Sequence, residues 1–72
     1  VRRGDLLLTV STGGAAPALS AALRAWLEDS FGDEWAGRLE EVAALRARLR
    51  AEGRTPPEVI AAVRAHLTAN AW

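Results

Sequence analysis

Asp5-Leu6-Leu7-Leu8-Thr9-Val10-Ser11-Thr12-Gly13-Gly14-Ala15-Ala16-Pro17 decides how this chain is read. Apolar side chains at successive positions, with Gly4 before them and Gly13-Gly14 after, fit a strand over about residues 5–11. Such a run suits a strand covered on both faces, as in a parallel sheet. Ser11 to Ala16 then form a tight loop, and Pro17 starts a helix where its missing N–H costs nothing. A lone strand leaves its own backbone groups unpaired. Its partner is therefore expected from sequence outside this chain, or from another copy adding to an exposed strand edge.

Downstream of the loop the spacing turns helical. The first helix is expected over about 17–30, with Leu19, Leu23, Trp26 and Leu27 on one stripe. Gly32 is a candidate stop and Asp33 the next N-cap. A second helix, about 34–51, carries Trp35, Leu39, Val42, Leu45 and Leu49 along one side, with Glu34 and Arg38 spaced for an i,i+4 pair. Gly53 ends it. Thr55-Pro56-Pro57-Glu58 is the sharpest local signal: a capping threonine, proline at the first helical position and glutamate completing a capping box. The third helix runs over about 56–70, with Ile60, Val63 and Leu67 expected inward and Val59 flanking them. The fold class is mainly α: one N-terminal strand, a glycine loop and three helices.

Composition narrows the function classes. With 72 residues the chain holds one small core, and small scaffolds lean on disulfides, metals or oligomerisation. Cysteine is absent and His66 is the only histidine, so disulfides and thiolate metal sites are excluded and association is the remaining route. The formal charge is zero, against the basic excess of a general nucleic-acid binder. No apolar run approaches the roughly 20 residues that span a bilayer. A soluble, cytoplasmic protein is the expectation, and the opening residues have the pattern of a piece of a longer protein.

Arg3-Gly4-Asp5-Leu6-Leu7-Leu8-Thr9-Val10-Ser11-Thr12-Gly13-Gly14, followed by Pro17-Ala18-Leu19 and Leu23-Arg24, resembles the central segment of precorrin-2 dehydrogenases of the siroheme synthase family. The likeness is strongest over residues 3 to 28; beyond Asp33 it rests on helix lengths and order. It implies a central strand–loop–helix segment over 1–31 and a helical dimerisation region over 32–72. The NAD-binding Rossmann domain of such an enzyme would lie outside this chain. The implied reaction oxidises precorrin-2 to sirohydrochlorin with NAD, and in bifunctional members ferrous iron is then inserted as a substrate. No G-x-G-x-x-G follows a strand here, so this segment is expected to hold no cofactor, metal or catalytic residue and to be inactive alone. Partners implied are a second copy of the chain and the tetrapyrrole, with neither nucleic acid nor membrane. The family commonly has serine where this chain has Ala16, which forfeits about 1 kcal/mol of capping and any hydroxyl at that position.

The candidate substrate contacts are Ser11, Thr12, Gly13, Gly14 and Arg24. A loop opening onto a helix gathers free N–H groups at the positive dipole end, a natural seat for a carboxylate of the tetrapyrrole; the plainer alternative is that both glycines simply permit a turn. Arg24 matches a family position just beyond the loop. Arg46 and Arg50, one turn apart, repel unless something acidic faces them. His66 reads as a boundary residue, because no second ligand stands at metal spacing, and Trp26 and Trp35 as core or interface. The rival reading of the whole chain is a free-standing helical interaction module without tetrapyrrole function; a third is an anion-binding regulatory domain.

Overall fold

Gly4 turns the chain back on itself in the computed structural model, which describes residues 1–72. β1 (Arg2–Arg3) and β2 (Leu6–Leu7) pair antiparallel, Arg2 opposite Leu7 and Arg3 opposite Leu6. Gly4 has φ +59° while Asp5 stays at negative φ, the arrangement of a type II′ hairpin turn. The Val1 amino group donates to the Leu8 carbonyl at 2.8 Å, and the Leu8 amide returns a bond to the Val1 carbonyl at 2.8 Å.

The apolar run is thus shorter as a strand than the expected 5–11, and its partner lies within the chain. Thr9 to Thr12 carry no ladder. An antiparallel ribbon covers one face only. Accordingly Leu6 and Leu8 are half-buried while Leu7 is 53% exposed. The two-residue spacing Gly4-Asp5 between residues able to pair was the local signal for this hairpin.

Three helices follow: α1 (Pro17–Ser30), α2 (Trp35–Ala51) and α3 (Pro56–Ala69). The chain divides into two units, Val1–Leu39 and Glu40–Trp72. In the first, α1 ends without a left-handed glycine: Phe31 is extended, and its amide reaches the Leu27 carbonyl at 2.9 Å. The α1 end is instead closed from the hairpin. Arg3 donates from Nε to the Phe31 carbonyl (2.7 Å) and from Nη2 to the Glu28 carbonyl (3.1 Å), with Asp33 3.9 Å from its Nε. A cation on the orphan carbonyls of a helix C-terminus is favourable. α2 opens through 3₁₀-type bonds, the amides of Trp35 and Ala36 donating to the Gly32 and Asp33 carbonyls. The Phe31 and Trp35 rings meet at 4.8 Å and 56°, and the Arg38 guanidinium lies 4.8 Å over the Trp35 ring.

In the second unit the local sequence signals are met in full. Gly53, at φ +79°, sends its amide to the Arg50 carbonyl, and Arg54 sends its amide to the Leu49 carbonyl, each 3.0 Å. These two bonds are a Schellman motif. The capping box of α3 is complete: the Glu58 amide donates to Thr55 Oγ1 (3.4 Å) and the Thr55 amide to Glu58 Oε1 (3.1 Å). The α3 end repeats the Schellman pattern with Ala71 at φ +54°, Ala71 bonding the Thr68 carbonyl and Trp72 the Leu67 carbonyl.

Glu58 gives this cap a pH dependence. The Thr55 backbone amide, then the Thr55 hydroxyl, then Arg54 hold its carboxyl below the ordinary 4.5. A carboxyl lowered on folding stabilises above its unfolded value and loses that contribution as pH falls through the folded one. The urea midpoint is therefore expected to drop as pH falls from about 4.5 downward. Glu58→Gln, which keeps an acceptor at this position but does not titrate, should flatten part of that drop. An identical acid profile for the two proteins would contradict the assignment.

Packing places one residue deepest. Val59 is 9% exposed, and it is the only buried side chain. Along α3 the half-buried positions continue as Ala62, Val63, His66 and Leu67. Ile60, expected inward, is 56% exposed. The two residues are 100° apart around the helix, so only one can lead the inward stripe, and it is Val59. On α2 all five expected positions (Trp35, Leu39, Val42, Leu45 and Leu49) are half-buried. On α1 the expected stripe is turned outward: Leu19 and Leu23 are exposed, Trp26 is 61% exposed, and only Leu27 is half-buried.

Candidate functional site

Four of the five candidate contacts come together in the loop before α1. Gly13 and Gly14 take φ +65° and +82°, both left-handed, which is the conformation that demands glycine. A Cβ built on either meets nothing within 4 Å, so the glycines serve the turn and leave open space beside it. The loop is held from within. Ser11 Oγ accepts from the Gly13 amide (3.3 Å), the Ala15 amide donates to the Thr12 carbonyl (3.2 Å), and Thr12 Oγ1 accepts from the Ala16 amide (3.2 Å). Thr12 Oγ1 also lies 3.3 Å from Ser20 Oγ on the first turn of α1.

Thr12 thus supplies part of what a serine at position 16 would have given. It fastens the N-cap residue itself, and no side chain caps the helix amides beyond it. The N–H groups of Gly14, Ala18 and Leu19 take no acceptor within the protein. Three donors at the positive end of a 14-residue helix suit a carboxylate or another small anion. Chemically the loop is a set of hydrogen-bond donors. It offers no nucleophile with a base beside it and no general acid.

Arg24 stands apart from this cluster. It is exposed on α1, seven residues past Pro17, about 10 Å along the axis from the helix start. It makes no hydrogen bond or ion pair. Arg3, by contrast, belongs to the resembling stretch and was not singled out; its work is to close α1 and tie the hairpin to it. A cation directly before a hairpin turn gives no sequence signal for that role, because the helix end it reaches is more than 20 residues away.

In the second unit His66 Nε2 lies 3.2 Å from Glu41 Oε2, and its ring meets Trp72 edge-on at 5.2 Å. Its neighbours are a carboxylate and an indole, the surroundings of a boundary residue. Arg46, Arg50 and Arg54 line an open groove of about 480 Å³ with Gly53, Pro56, Val59 and Ile60. Arg54 is paired with Glu58 (3.2 Å) and Glu52 (4.0 Å), whereas Arg46 and Arg50 have no partner.

No family model, curated protein or solved structure matches the chain. No helix is long and apolar enough to cross a membrane.

Proposed function

We propose that this chain is the dimerisation and substrate-cleft element of a precorrin-2 dehydrogenase of the siroheme synthase type. The observation that carries the reading is the Ser11-Thr12-Gly13-Gly14 loop. Within the residues that resemble the family's motif, Gly13 and Gly14 are left-handed, and no side chain caps the start of α1, which supports an anion seat there. The loop would receive a carboxylate of the tetrapyrrole, while NAD and the catalytic groups would belong to a separate nucleotide-binding domain. Oxidation, and iron insertion in a bifunctional parent, would take place there and not on this segment's side chains.

The outward stripe Leu19, Leu23 and Trp26 supports association. Contiguous exposed apolar side chains on one helix mark an interaction surface more often than a solvated one. A single buried side chain is also little core for a chain of this length. The same stripe supports the second reading, a helical interaction module without a tetrapyrrole.

Two measurements separate the readings. Sedimentation velocity at micromolar concentration should give a dimer, and Trp26→Glu should weaken it at least about tenfold, as for a buried tryptophan anchor. A folded monomer removes the dimerisation role. The coding sequence upstream of Val1 then decides the enzyme: a strand followed by a glycine-rich turn and a helix supports it. A dimer lacking such a motif leaves the interaction module.

A further inference from the structure

The groove in the second unit combines features that the loop and the α1 stripe do not use. One bank is the last two turns of α2, with Arg46 and Arg50 one helical turn apart, about 6 Å along the axis. The other is the first turn of α3, with Pro56, Val59 and the exposed Ile60. Gly53 also lines it, and a Cβ there would meet nothing within 4 Å. No acidic side chain lines the groove. Glu52 and Glu58, next in sequence to the lining residues Gly53 and Val59, are both paired with Arg54.

Two like charges at i,i+4 spacing destabilise a helix unless an anion answers both. An isoleucine left largely in water beside them adds an apolar surface to cover. We infer that this groove binds a small amphipathic dicarboxylate. Its two carboxylates meet Arg46 and Arg50, which stand one turn apart on α2, and its apolar body lies over Ile60 and Pro56. Arginine favours this role because its planar fork accepts a carboxylate side-on with two hydrogen bonds. The volume is that of a small-ligand pocket, which runs about 300–1,000 Å³. A helix of another protein would need a longer trough. The inference rests on the groove alone and stands or falls apart from the dimer and the loop.

The test is an NMR titration of the whole chain with N-octanoyl-glutamate, a soluble dicarboxylate with an eight-carbon tail. Saturable shifts are expected at Arg46, Arg50 and Ile60, with a Kd on the order of 0.1 mM for a ligand of this size. Raising the salt should weaken binding. Arg46→Gln and Arg50→Gln should each weaken it about tenfold, the cost of one charge-assisted pair. Arg48→Gln, exposed on α2 but outside the groove, should not. All three positions are exposed, so circular dichroism should be unchanged. Equal binding of the uncharged diamide, equal binding by both groove variants, or no saturable shift would each overturn the inference.

Discussion

Gly4→Ala should cost about 2–3 kcal/mol, the sum of a left-handed penalty and a clash. The backbone at residue 4 sits at φ +59°, where an L side chain loses about 1–2 kcal/mol. A Cβ there would also come 2.9 Å from the Ala36 Cβ, closer than methyl groups approach without something shifting. Neither neighbour is a flexible side chain end that can swing away; one is a two-residue turn and the other the first turn of α2. For a chain this small the loss is a large share of the total, which for 72 residues is about 4–10 kcal/mol.

Urea denaturation followed by circular dichroism reads the effect. Ala36→Gly separates the two causes, because it removes the clash and leaves the dihedral penalty. In the double variant the cost of Gly4→Ala should fall by about 1 kcal/mol or more, a favourable coupling between contacting sites. A Gly4→Ala protein with an unchanged midpoint would mean that the hairpin does not turn there. Arg3 makes the consequence wider than the turn. If the hairpin opens, the carbonyls of Glu28 and Phe31 lose their donor, and the last turn of α1 should fray with it.

How much was legible in the sequence depends on the range of the interaction. The α3 start could be read to the residue, because Thr55, Pro56 and Glu58 satisfy one another within a single turn and need nothing else. Gly53 was equally plain, since a left-handed cap is a property of one residue. The hairpin was harder. The apolar run Leu6 to Val10 argues for a long strand, and the competing Gly4-Asp5 turn shortens it by folding Arg2 and Arg3 onto Leu6 and Leu7. In the loop, the glycines and Pro17 could be placed from their own backbone preferences. Thr12 could not, because its bond to Ala16 depends on the path the glycines impose. The outward turn of Leu19, Leu23 and Trp26 was not legible at all. Periodicity finds a face, and only packing says what covers it.

The same limit decides α3, where Val59 and Ile60 are adjacent, β-branched and equally apolar. Periodicity favoured Ile60 and packing chose Val59, so substitutions at the two sites should differ sharply. Val59→Asp should unfold the second unit. It loses the burial of the only enclosed side chain, about 1.5–3 kcal/mol, and adds the cost of withdrawing a carboxylate from water, which the exposed groove arginines Arg46, Arg50 and Arg54 offset only in part. Val59→Ala, which only shortens the side chain, should cost about 2 kcal/mol. Ile60→Asp should stay within about 0.5 kcal/mol of the parent, as for surface positions elsewhere. Amide hydrogen exchange along α2 and α3 reads both. Val59→Asp should abolish protection from Val42 to Leu67, and Ile60→Asp should leave it in place. Equal losses at the two positions would show that the inward stripe runs through Ile60 after all. The groove would then have no exposed apolar floor for a ligand to cover.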